Sequence, residues 1–229
     1  MNILIVYAHQ EAKSFNAALK DLAISSLRTL GHTVKVSDLY GMNFKAVTDR
    51  DDFTVVYDRD YFKYQNEQRN ASTRGNKFSA DILEEQEKLV WADLVIFQFP
   101  LWWFSMPAIL KGWMDRILAV GFAYGGGRLY DTGVFKGKKA MLVITTGAPS
   151  SVFTPTGMAL AYPSKILFPI HHGTLYYVGM SILQPFIAWQ PARIGPQGRE
   201  QYLEDYKKRL LSLETTPVIL PHRLSDYDE

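Results

Sequence analysis

Three continuous apolar runs constrain this chain more than any other feature: Ile3-Leu4-Ile5-Val6-Tyr7, Leu94-Val95-Ile96-Phe97 and Ala140 to Thr145. None alternates polar with apolar residues, so each suits a strand covered on both faces, as in a parallel sheet flanked by helices. After the first run, Ser14 is a good N-cap, and Phe15, Ala18, Leu19, Leu22, Ala23, Leu27 and Leu30 recur at helical spacing up to Gly31. Thr33 to Asp38 predicts a second strand, and strand, helix, strand in that order makes a βαβ unit with a right-handed crossover. Ile82, Leu83, Gln86, Leu89 and Val90 predict the helix that leads to the strand at Leu94. Pro107 opens another, with Ile109, Leu110, Trp113, Met114, Ile117 and Leu118 as its apolar stripe. A fifth strand is expected around Ser181 to Ile187, and a closing helix over Arg199 to Leu213.

These elements predict one α/β domain over residues 1–229, with a doubly wound, five-stranded parallel sheet and helices on both faces. Residues 41–78 break the rhythm, being polar and aromatic without a sustained period, and are expected to form a partly helical excursion. A polar tail begins near residue 215. The nucleotide-binding alternative lacks its glycine fingerprint, since Ala8-His9-Gln10-Glu11 follows the first strand.

Composition narrows the function classes. A formal net charge of +2 gives no argument for nucleic acid or an anionic membrane surface. The densest basic cluster, Lys136, Lys138 and Lys139, reads as a solvated turn. With no cysteine, disulfides, thiolate metal sites and cysteine nucleophiles are excluded together. No stretch approaches the roughly 20 apolar residues that span a bilayer, and no basic segment precedes the first apolar run, so a cytoplasmic protein without membrane insertion is expected. Adjacent His171 and His172 point to different faces of a regular element, which argues against a metal pair.

In a doubly wound sheet, ligands bind beyond the carboxyl ends of the strands, which selects three loops. Ser14-Phe15-Asn16-Ala17 opens a helix, whose free N–H groups suit a phosphate, although by itself the loop reads more readily as Ser14 capping the helix, since such caps are common. Pro100-Leu101-Trp102-Trp103-Phe104 sets three aromatic residues in a row. They cannot all face inward, so at least one lines a cleft, suited to a flat heteroaromatic ring, or a dimer patch. Thr145-Thr146-Gly147-Ala148 offers hydroxyls and N–H groups to a ring edge, with Gly147 allowing close approach.

Together these segments resemble the NAD(P)H:quinone oxidoreductase family of flavodoxin-like flavoproteins. The resemblance runs from Ile3 to about Pro217. It is strongest at Val6-Tyr7-Ala8-His9, Ser14-Phe15-Asn16, Ala92 to Leu101 and Pro107 to Arg116, and extends through Thr145-Thr146-Gly147 and His172-Gly173-Thr174-Leu175. It implies a homodimer with FAD (FMN the alternative) at the subunit interface, and a ping-pong reduction of a small planar acceptor by NADH or NADPH. The implied cofactor contacts are His9, Phe15, Asn16, Ala17, Pro100, Leu101, Trp102, Trp103, Phe104, Thr145, Thr146, Gly147, Ala148 and Arg199. The implied acceptor pocket is Phe122, Ala123 and Tyr124, with Trp103 and Phe104 nearby.

The chain departs from the family pattern where a tyrosine and a histidine are expected beside the flavin: Phe153 and Ala159 stand there, leaving no side-chain proton relay. Tyr176 replaces a histidine of the shorter mammalian form's metal site, so no metal is expected. An azo- or nitro-reductase of the same fold, and a flavin-binding regulatory subunit of a membrane transporter, are the alternative readings.

Overall fold

A computed structural model describes residues 1–219 and 223–226. The apolar runs become β1 (Asn2–Tyr7), β3 (Leu94–Pro100) and β4 (Lys139–Thr145), joined by β2 (Thr33–Asp38), all parallel. Every residue of β3 is buried, as a strand covered on both faces requires. The sheet order begins β2-β1-β3-β4, the doubly wound order expected.

Two cores lie on opposite faces of the sheet. On one, α1 (Phe15–Thr29) and α7 (Gly195–Leu211) set Leu19, Ala23, Leu27, Tyr206 and Leu210 against Ile3, Ile5 and Ile96. On the other, α3 (Ala80–Trp91) and α4 (Ala108–Ile117) bring Ile82, Leu89, Leu110 and Trp113 against Leu4, Val95 and Phe97.

The fifth strand differs from expectation. It is split into β5 (Ser181–Leu183) and β6 (Phe186–Ala188), which pair in turn with the two ends of β4. Between them stands Gln184-Pro185, and proline has no N–H to give to a ladder. The tail is not merely polar: Val218–Ile219 forms β7, antiparallel to β5, giving a sheet of seven strands among the described residues. The closing helix begins at Gly195, four residues before Arg199, because Pro196 is tolerated in a first turn. Lys138 is half-buried rather than freely solvated; its ammonium donates to the Val90 and Ala92 carbonyls at 2.6 and 2.5 Å, capping the end of α3.

The excursion is tied down by charge. It contains a short turn of helix at Arg50–Asp52 and α2 (Tyr64–Thr73). Asp52, fully buried, accepts two hydrogen bonds from Arg116 of α4 (2.9 and 3.1 Å), one from Lys45 (2.9 Å) and one from Tyr64 (2.8 Å). Burial, then this bond to Asp52, push the Tyr64 hydroxyl pKa up.

Candidate active site

The three loops chosen from the sequence meet at the carboxyl ends of β1, β3 and β4. They line a cleft of about 570 Å³ with His9, Ser14, Phe15, Asn16, Pro100, Leu101, Trp102, Thr145, Thr146 and Gly147. The start of α7 closes it through Arg199, which donates to the Pro191 carbonyl at 3.3 Å.

The floor is built from α1. Ser14 Oγ accepts the Ala17 N–H at 3.1 Å, so this end is a true cap. The Phe15 and Asn16 N–H groups keep no protein acceptor among the described residues, leaving two donors at the positive end of the helix dipole. The Asn16 side chain donates to Thr145 Oγ1 at 2.6 Å, linking the first loop to the third. Gln98 of β3 donates to the Asn16 carbonyl, and Gln98 Oε1 and Asn16 Oδ1 are buried without partners.

The third loop is pre-set in the same way. Thr146 Oγ1 donates to the Ala148 carbonyl at 2.7 Å and accepts the Gln190 N–H at 3.3 Å. The Gly147 and Ala148 N–H groups find no acceptor among the described residues. A Cβ on Gly147 would meet nothing within 4 Å, so the backbone lies open to the cleft.

The aromatic loop turns on mutual hydrogen bonds between Trp102 and Ser105, at 3.0 and 2.9 Å. Its two central residues, Trp103 and Phe104, have φ of 51° and 58°. Asn-Gly is usual in such a turn, and two bulky aromatics there cost of order 1–3 kcal/mol each. Trp103 is 96% exposed and Phe104 52%, so the strain holds two rings out of the core. His9 accepts the Glu11 N–H at Nδ1, and burial holds its pKa below the usual histidine value despite Glu11.

One chain does not gather all the expected site residues. Ala17 is buried, with its N–H committed to Ser14. Trp103, Phe104 and Ala148 flank the cleft without lining it. Phe153 is buried between Phe104 and Trp189, with ring centroids at 6.2 and 5.0 Å, while Ala159 is half-buried and bonded through its N–H to Val152.

The expected acceptor set lies elsewhere. Ala123 is wholly buried and Phe122 packs edge-on against Phe135. Tyr124 packs on Tyr177 beside a separate cavity of about 460 Å³, whose wall also carries Thr48, Tyr64, Gln65 and Gln68 from the excursion. The excursion therefore does not border the cleft. Sequence reasoning missed Gln98, Pro191 and Ala192. Only Gln98 carried a signal, as the one polar residue inside an otherwise apolar strand.

The described residues hold no cluster of three or more histidine, cysteine or acidic side chains suited to a metal, and no helix long and apolar enough to cross a membrane.

A parallel sheet in this order, with its loops converging on one cleft, defines a flavodoxin-like protein, and the chain belongs to that family: the flavodoxin-like fold family matches residues 1–211. Within it the chain is 45% identical to the rat ribosyldihydronicotinamide dehydrogenase [quinone], over 92% of this chain and 91% of the rat one. It is also 45% identical to the rat NAD(P)H dehydrogenase [quinone] 1, over 94% and 78%. A crystal structure from Klebsiella pneumoniae superposes with a TM-score of 0.91 at 43% identity, over 96% of this chain and 87% of that one. The NAD(P)H:quinone oxidoreductase of Methanothermobacter marburgensis superposes with 0.74 at 26% identity, over 93% and 97%. The resemblance to the quinone oxidoreductases stated from the sequence is borne out.

Proposed function

We propose that this chain is a flavin-dependent NAD(P)H:quinone reductase that passes hydride to small planar acceptors by a ping-pong mechanism. The observation that carries the reading is the cleft itself, where free N–H donors of α1, an aromatic loop and the Thr145–Gly147 backbone face one space. The quinone dehydrogenases at 45% identity support the same activity.

The residues present fit a flavin. Phe15 and Asn16 N–H groups suit a phosphate, the Gly147 backbone leaves room for a ring edge, and Trp102 supplies a flat wall. Arg199 adds a cation at the far end of the cleft. FAD is the cofactor we favour, as the resemblance read from the sequence implies, with FMN as the alternative. A bound flavin supplies the two-electron chemistry.

The chain's own part is to orient the ring and to hold negative charge at its edge. Gly147 and Ala148 N–H groups do the second, as fixed donors that need no reorganisation. Phe153 and Ala159 carry no titratable group, so no side-chain relay moves a proton there.

A second copy of the chain completes the site. Trp103, Met158 and Leu160 are 96, 89 and 74% exposed, apolar surface that a homodimer would cover. Tyr124, absent from the cleft of its own chain, would then serve the partner's. We infer a cytoplasmic reaction, with NADH or NADPH as donor.

Initial rates at varied donor and quinone test the mechanism. Parallel double-reciprocal lines are expected, and lines that converge would overturn the ping-pong order.

A further inference from the structure

β3 carries one polar side chain, Gln98, in a strand whose other residues are apolar and buried. Gln98 is itself fully buried and does not line the cleft. Its backbone carbonyl accepts the Ala8 N–H at 2.9 Å, while its side-chain amide donates to the Asn16 carbonyl in the first turn of α1. The Asn16 side chain in turn donates to Thr145 Oγ1 at 2.6 Å. The Thr145 carbonyl accepts the N–H of Leu101, in the loop that follows β3, at 2.8 Å. Hydrogen bonds thus run in a closed ring from β3 back to its own loop, and the ring ties together all three loops of the cleft.

The peptide between Asn16 and Ala17 is fixed at both ends. Gln98 holds its carbonyl, and Ser14 Oγ accepts its N–H at 3.1 Å. Asn16 is therefore restrained by its carbonyl, by its side chain and by the N–H that follows it. What these restraints aim is its own N–H, one of the two at this helix end without a protein acceptor among the described residues. The arrangement gains little stability. Gln98 Oε1 and Asn16 Oδ1 are buried without partners, and an unpaired buried acceptor costs at least as much as one hydrogen bond returns. An apolar residue at position 98 would continue β3 without that cost.

We propose that Gln98 is a positioning residue, which acts through Asn16 to hold the α1 N–H donors in place for the phosphate next to the flavin ring system. This rests on the flavin reading of the cleft. Gln98 is too deeply buried to touch a ligand itself. Donors fixed before binding need no ordering when the phosphate arrives. The loss of Gln98 therefore falls on the phosphate and not on the ring. The ring edge meets Gly147, whose loop is held separately, by Thr146 through the Ala148 carbonyl and the Gln190 N–H.

Equilibrium dialysis of the full-length protein against FMN and against riboflavin tests it, because the two differ by one phosphate. Wild type is expected to prefer FMN by more than about tenfold, the worth of charge-assisted bonds to that phosphate. Gln98→Met, which removes the amide and keeps the length, should cut this preference about tenfold and leave riboflavin affinity within about twofold. Its melting temperature should stay within about 3 °C of wild type, since the bond lost is offset by removal of an unpaired acceptor. Gln98→Leu, a second apolar shape, should behave in the same way. The proposal is overturned if wild type shows no preference for FMN, or if the variants keep the wild-type preference. It is overturned equally if both variants melt more than about 3 °C lower or lose FMN and riboflavin alike, as a merely structural role requires. Wild type that takes up neither flavin overturns the flavin reading, and this inference with it.

Discussion

Replacing Asp52 by alanine should be among the most damaging single changes outside the cleft, and the structure sets the size. Asp52 and Arg116 are 0 and 1% exposed. Without the carboxylate, Arg116 keeps only Asp81 (2.7 Å) and the Lys45 carbonyl (2.8 Å), and the Tyr64 hydroxyl loses its acceptor. Breaking a buried pair from one side costs about 3–5 kcal/mol. Because Asp81 still compensates Arg116, the lower end, about 3 kcal/mol, is expected. At about 2–4 °C per kcal/mol for a chain of this size, Tm should fall by roughly 6–12 °C. Urea unfolding followed by circular dichroism gives the free energy directly, and the slope m should be unchanged. Lys111→Ala is the control: its pair with Asp115 is exposed, and its loss should cost no more than about 0.5 kcal/mol. Adding Arg116→Leu to Asp52→Ala should recover part of the loss, since no buried charge is then left unpaired. An Asp52→Ala protein within about 1 kcal/mol of wild type would refute the claim that this pair anchors the excursion to α4.

Three further outcomes are expected. Gly147→Val should leave the melting temperature of the flavin-free protein unchanged, because its Cβ meets nothing within 4 Å, yet lower flavin retention on gel filtration more than tenfold. Gly112→Ala should cost about 3 kcal/mol by thermal melting, since the new Cβ would stand 2.2 Å from the Ala46 carbonyl oxygen and 2.6 Å from its Cα, both backbone atoms. Stability should fall between about pH 6.5 and pH 4 by up to about 3 kcal/mol, because the unfolded chain binds a proton at His171 that the folded one resists. Above pH 6.5 both states are neutral there and the effect vanishes, so His171→Phe should lose this part of the acid sensitivity in a pH series of urea melts.

Much of this architecture was legible because it follows from burial. An unalternating run such as Ile3 to Tyr7 has few uses besides a doubly covered strand, and Ser14 before a helical stripe marks a cap. The loops could then be chosen by topology alone, before any contact was known. What escaped was set by tertiary context. Nothing local distinguishes Val218-Ile219 as an edge strand until β5 is there to pair with it. Gln184-Pro185 was visible, but the resulting split of the strand depends on β4 being long enough to pair with both pieces. Nothing local marks Arg116 as a buried ion-pair partner, and only the fold brings Asp52 and Asp81 to it from 64 and 35 residues away. The acceptor residues illustrate the same limit. Phe122 to Tyr124 came from the family resemblance, and within one chain they pack on Phe135 and Tyr177, apart from the cleft.

The most direct test of the central claim is the visible absorption spectrum of the purified protein, followed under anaerobic conditions through addition of NADPH or NADH and then a simple quinone. The account predicts a flavin spectrum that bleaches with the donor and returns with the quinone, with each chain cycling one flavin. A flavin that neither donor bleaches, or protein that takes up neither FAD nor FMN, would contradict it.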